Sequence, residues 1–76
     1  MGIVSAEIVA ADQLEIGFHS LEDVTEEMIR GELRLVNSDE DVDLTNYTIT
    51  MDTERNRVIL TGEFEFEQGA YKVFYN

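Results

Sequence analysis

The feature that most constrains this chain is a period of two. Apolar and polar residues alternate in one short run after another, and clusters of Asp, Asn, Ser, Gln and Gly separate the runs. Successive side chains of a strand point to opposite faces, so such alternation is the pattern of a half-buried strand. Val4, Ala6, Ile8 and Ala10 alternate with Ser5, Glu7 and Val9, and Asp12-Gln13 follows as a turn. Leu14, Ile16 and Phe18 alternate with Glu15, Gly17 and His19, so the two runs predict a hairpin. Tyr47, Ile49 and Met51 alternate with Thr48 and Thr50, a combination rich in strand-favouring side chains. After a loop at 52–56, Arg57 to Glu67 is the longest run, with Val58, Leu60, Gly62, Phe64 and Phe66 on one face. Gln68-Gly69 turns the chain, and Ala70 to Tyr75 reads as a closing strand.

The stretch from Ser20 to Arg30 carries two signals. Ser20, Asp23 and Glu26-Glu27 resemble a helix start with an acidic first turn, and Leu21, Val24 and Met28 would share a helical face. Ile29, Leu33 and Leu35 against Arg30, Glu32 and Arg34 instead continue the alternation, with Gly31 as a bulge. The reading adopted is a helical turn or loop at 20–25, then a strand from about 27 to 36, with a two-turn helix within 20–30 as the alternative. Asn37 to Asp41 is a turn by composition.

The whole, residues 1–76, is therefore expected to be a single all-β domain. It would be a small antiparallel sandwich or open barrel of about six strands, with one short helical turn near 20–28. Its core would hold Ile16, Phe18, Leu33, Leu35, Tyr47, Ile49, Val58, Leu60 and Phe64. A chain of 76 residues buries only roughly 60% of its unfolded surface. Without cysteine no disulfide or thiolate metal site supports so thin a core.

Charge narrows the function. Seventeen acidic residues against five basic ones give a net charge of -12. Phosphate backbones and anionic membranes are bound by clustered Lys and Arg, so neither nucleic acid nor membrane is an expected partner. The first residues lack the basic and apolar segments of a secretory signal, and no apolar run reaches the roughly 20 residues of a membrane span. The expected setting is cytoplasmic or within a virion.

From Gly31 to Asn76 the sequence resembles the lamin tail domain. Gly31-Glu32-Leu33-Arg34-Leu35-Val36-Asn37, then Asp39-Glu40-Asp41-Val42-Asp43-Leu44-Thr45-Asn46-Tyr47, is similar to that family's strand ending in Asn, its acidic turn and its Val-Asp-Leu-Ser-Gly-Trp opening. Phe64 to Val73 is similar to its closing Gly turn and aromatic strand. Tyr47 stands where the family has Trp, and Asn46 where it has Gly. The resemblance implies an immunoglobulin-like sandwich that serves as a non-catalytic interaction module.

Chemical constellations are few. His19 is the one histidine, and no serine lies in a nucleophile-elbow context. Asp39, Asp41 and Asp43 have the spacing that opens a calcium loop, but Leu44 and Thr50 stand where such a loop needs Gly and Glu. Glu63, Glu65 and Glu67 line one strand face, the pattern of a solvated surface rather than of a glycosidase pair. Asn46-Tyr47-Thr48 matches a glycosylation sequon. No catalytic, metal-binding or cofactor-binding residue is assigned, and no enzyme is expected. The candidate contact residues are Tyr71, Val73, Phe74 and Tyr75, because a terminal strand with aromatics on both faces is apolar on each side. Through it the chain would meet a protein partner or a second copy of itself, docked on a larger assembly such as a virion or multi-subunit complex. The alternative from charge alone is an inhibitor that mimics DNA, which requires carboxylates spread over one continuous face.

Overall fold

The structure, a computed structural model, describes residues 2–62 and 71–75. Chain order is β1 (Ile3–Ala10), β2 (Gln13–Phe18), α1 (Glu26–Glu32), β3 (Leu33–Asn37), β4 (Glu40–Asp41), a 3-10 turn (Leu44–Asn46), β5 (Tyr47–Asp52), β6 (Arg57–Gly62) and β7 (Tyr71–Tyr75). The strands form two antiparallel sheets, one of four strands in the order β1-β2-β6-β5 and one of three in the order β4-β3-β7. The architecture is a small β-sandwich, the all-β class that the alternation predicts.

The larger sheet is built on β2 and β6, whose register sets Leu14 opposite Leu60 and Ile16 opposite Val58. These four side chains are at most 2% exposed. Facing them across the core stand Leu33 and Leu35 of β3, while Tyr47 and Ile49 of β5 extend the layer. Eight of the nine expected core residues are buried. The ninth, Phe64, lies outside the described residues, as do Phe66, Glu63, Glu65, Glu67 and the turn expected at Gln68-Gly69.

The segment before β3 differs from the expected strand at 27–36. Residues Glu26–Glu32 are helical and the strand begins at Leu33. Thr25 is the N-cap, its side chain accepting from the Met28 N–H at 3.2 Å, with Glu26 and Glu27 in the first turn and Arg30 in the last. Ile29 and Leu33 are four residues apart, which is one helical turn and also an even number of strand steps. Leu33 and Leu35 are then one strand period apart. All three face the core, so a helix passing into a strand imitates unbroken alternation. Leu21 and Val24 close this end of the core.

The first strand also departs from simple alternation. Ile3, Ala6 and Ile8 pair with Phe18, Ile16 and Leu14, so these three share the core side. The register shifts between Ile3 and Ser5 and again between Ile8 and Ala10. Val4 and Val9 fall in the two irregularities and are 51% and 46% exposed. Val4 and Ala10, expected on one face with Ala6 and Ile8, are displaced from it by these bulges.

Two glycines are fixed by what lies across the strand from them. Gly62 pairs with Tyr47, and a Cβ at Gly62 would run into the Tyr47 ring, itself 5% exposed. Gly17 is crossed by the Arg57 guanidinium and the Ser5 hydroxyl. Gly31, by contrast, has open space where a Cβ would stand, inside α1. Gly62→Ala is therefore expected to cost about 1–3 kcal/mol through overpacking. Gly31→Ala is expected to add about 0.5–1 kcal/mol through lower chain entropy. Urea titration of the two variants checks both signs.

Candidate functional site

Strand β7 runs antiparallel to β3, with Leu33 opposite Tyr75, Arg34 opposite Phe74, Leu35 opposite Val73, Val36 opposite Lys72 and Asn37 opposite Tyr71. The register has no break, and side-chain exposure alternates along the strand. Tyr71, Val73 and Tyr75 are half-buried against the core. Tyr75 meets Phe18 of the other sheet edge to face, ring centroids 5.1 Å apart and planes at 88°. Phe74 and Lys72 point away from the core. Of the four candidate contact residues, three thus have inward side chains, and Phe74 alone presents its side chain on the outer face.

Phe74 is 48% exposed. The Arg34 guanidinium lies 5.7 Å from its ring centroid and is held there by Asp41 of β4 at 2.7 Å. This row of carboxylate, guanidinium and aromatic ring crosses the outer face of the three-stranded sheet. Beyond β7 no described strand continues that sheet.

Among the described residues, the other three sheet edges are protected in recognisable ways. Two bulges break β1. At β5, Arg30 donates to the Leu44 and Tyr47 carbonyls at 3.0 and 3.1 Å, which covers the start of that edge. Strand β4 is only two residues long and both are acidic.

The remaining candidates of the sequence are placed in local roles. His19 is exposed just past β2, its backbone N–H donating to the Gly2 carbonyl at 3.1 Å. Ser20 accepts from the Glu22 N–H, and Ser38 donates to the Asn37 side chain. Asp41 is taken by Arg34, and Asp43 caps the 3-10 turn by accepting from both the backbone and the hydroxyl of Thr45. Those two bonds, backbone first, hold the Asp43 carboxyl below its ordinary value. Among the described residues no group of three or more His, Cys, Asp or Glu side chains is arranged to hold a metal ion.

Sequence reasoning missed one feature here, the hydroxyl of Tyr75. It is buried with no well-formed hydrogen bond among the described residues. Burial first, and then the nearby Glu32 carboxylate, raise its pKa above the usual tyrosine value. Tyr47 is raised chiefly by burial as well. No spacing rule announces either, since both depend on how the two sheets meet.

No protein-family model matches the chain, and no curated protein matches it. The partial likeness to the lamin tail domain therefore rests on the residues quoted above. Solved structures do share the fold. A crystal structure of the GBS pullulanase SAP in complex with maltotetraose matches with a TM-score of 0.83 and 23% identity, covering all of this chain and 10% of that one. A crystal structure of the Group B Streptococcus pullulanase SAP matches with a TM-score of 0.78 and 23% identity, over 97% of this chain and 9% of that one. At this identity the likeness establishes the fold. The chain spans about a tenth of the length of these proteins. The fold is thus that of a β-module that also occurs as one part of a much larger polypeptide.

Both raised tyrosines make stability fall at high pH. The folded state retains their protons longer than the unfolded chain, so the contribution is complete below pH 10, the ordinary tyrosine value, and is lost as pH rises through the folded pKa values. Tyr75→Phe removes the buried hydroxyl. It is expected to be neutral or stabilising by up to about 1 kcal/mol at pH 7 and to move alkaline unfolding to higher pH, as followed by circular dichroism.

Proposed function

We propose that the chain is a non-catalytic interaction module that docks onto a larger protein assembly through β7. The observation that carries this reading is the contrast between that strand and the other sheet edges. Among the described residues, three edges are bulged, capped or very short, while β7 has an unbroken register with β3, no acidic residue and an exposed Phe74. A sheet edge of this kind accepts an extended segment through main-chain hydrogen bonds, and side chains on its outer face select which segment. Phe74 is the aromatic anchor, Arg34 holds its ring in place, and Tyr71, Val73 and Tyr75 keep the strand in register from below.

The recurrence of the fold within a tenth of a pullulanase chain supports a modular role. Only that placement is carried over; the activity and ligand of the larger protein are not. A virion or a multi-subunit complex would each provide a suitable host. The DNA-mimic alternative needs its carboxylates on one continuous face. Among the described residues they are instead distributed over the β1–β2 turn (Asp12), α1 and the loop before it (Glu22, Asp23, Glu26, Glu27), the β3–β4 turn and β4 (Asp39, Glu40), and the end of β5 and the turn after it (Asp52, Glu54). That distribution favours the module.

The test is a photoreactive phenylalanine analogue at position 74, compared with the same analogue at the exposed Thr48 of β5. Irradiation in native extract is expected to give one defined adduct at 74 and little at 48. Equal, diffuse labelling at both positions would mean that β7 is not a docking strand.

A further inference from the structure

We propose that this fold is salt-dependent: dissolved cations, held as a diffuse layer and not at a site, supply the positive charge that the chain lacks, and stability rises steeply with ionic strength. The basis is how few carboxylates find a cation within the molecule. Among the described residues only Glu15, Glu26, Asp41 and Asp52 pair with an arginine. Others, such as Asp12, Glu22, Asp23, Asp39, Glu40 and Glu54, are exposed with no basic partner among the described residues. The four arginines are already engaged, and one lysine remains. The unpaired acids stand in separate turns and loops, and no described group of three or more is arranged to hold a metal ion. What they create is a field over the whole surface.

Folding crowds these charges together. The folded chain has a radius of gyration of 11.3 Å, against roughly 27 Å for an unfolded chain of this length. Like charges move more than twice as far apart on unfolding, so the net charge of -12 weighs mainly on the folded state. Salt sets the reach of that repulsion. At 0.01 M the Debye length is about 30 Å. The molecule measures 30 × 21 × 20 Å, so every carboxylate then acts on every other. At 1 M the Debye length is about 3 Å, and charges on different turns no longer sense one another. Salt weakens the arginine pairs as well, but exposed pairs stabilise little. The thin core leaves the balance open to such a field, because a chain of this size buries only roughly 60% of its unfolded surface.

Urea unfolding of the purified chain at pH 7, followed by circular dichroism, tests this in about 0.01, 0.1 and 1 M NaCl and in choline chloride at the same ionic strengths. The folding equilibrium constant in water is expected to rise about tenfold or more from the lowest to the highest salt, and equally in the two salts. A constant that stays level or falls overturns the proposal. A rise in NaCl without one in choline chloride also overturns it, because that pattern belongs to a bound sodium ion. The triple variant Glu22→Gln, Glu40→Gln and Glu54→Gln takes the net charge from -12 to -9. Repulsion grows as the square of charge, so the variant should respond to salt about 40% less on a logarithmic scale and be the more stable protein at 0.01 M. A variant that keeps the full salt response would trace the rise to exclusion of salt from apolar surface, and the proposal would fall.

Discussion

The pairing of β2 with β6 is the constraint on which the rest depends. These are the two inner strands of the larger sheet, and each carries one outer neighbour, β1 on β2 and β5 on β6. Their shared inner face, Leu14, Ile16, Val58 and Leu60, is essentially dry. Each such side chain contributes on the order of 1.5–3 kcal/mol by leaving water. The same pairing positions Asn56, which has a left-handed backbone with φ of 55°. Its carbonyl accepts from the Phe18 N–H at 2.8 Å, and its side chain accepts from the Leu21 N–H at 3.0 Å. The loop that leads from β2 toward α1 is thereby tied to the β5–β6 turn. The helix then delivers β3 to the opposite layer, and β3 provides the edge on which β7 forms.

The four arginines are used up within this frame. Arg55 and Arg57 converge on Glu15, at 2.7 and 3.4 Å, across the outer face of the larger sheet. Arg30 serves the backbone around the 3-10 turn, and Arg34 joins Asp41 to Phe74. Every arginine of the chain therefore has an internal partner. Exposed ion pairs of this type stabilise little individually. Their larger effect is on charge distribution, since cations paired with neighbouring groups leave the acidic excess to dominate the field felt by anything approaching from solvent.

Much of this was legible in the sequence, and the exceptions share a cause. The strands at 13–18, 47–52 and 57–62 have two-fold patterning over a buried face, and nothing in their surroundings competes with it. The alternation of β7 was equally legible, with Phe74 and Lys72 on one side and Tyr71, Val73 and Tyr75 on the other. Residues 26–36 misled because a spacing of four satisfies both a helix and a strand, and the Thr25 cap that decides between them is a single residue. The bulges of β1 left no compositional trace, because Val4 and Val9 are ordinary strand residues. The protection of the β5 edge was also hidden, since Arg30 acts on carbonyls 14 and 17 positions away. Edge quality is a property of the assembled sheets, and so the candidate strand could be named from sequence while its contrast with the other three edges could not.

The glycine opposite Tyr47 has a consequence for how such a domain can diverge. Gly62 and Tyr47 share one volume across a single ladder step, and Gly17 shares another with Arg57 and Ser5. Each pair is constrained by its sum rather than by either member. A lineage that gains a side chain at 62 has to shrink the ring at 47, and the intermediate with both is overfilled while the one with neither is hollow. Substitution at these positions therefore proceeds in linked steps through a less stable ancestor. Distant versions of the fold would show the two sites changing together, even where the rest of the sheet drifts one residue at a time.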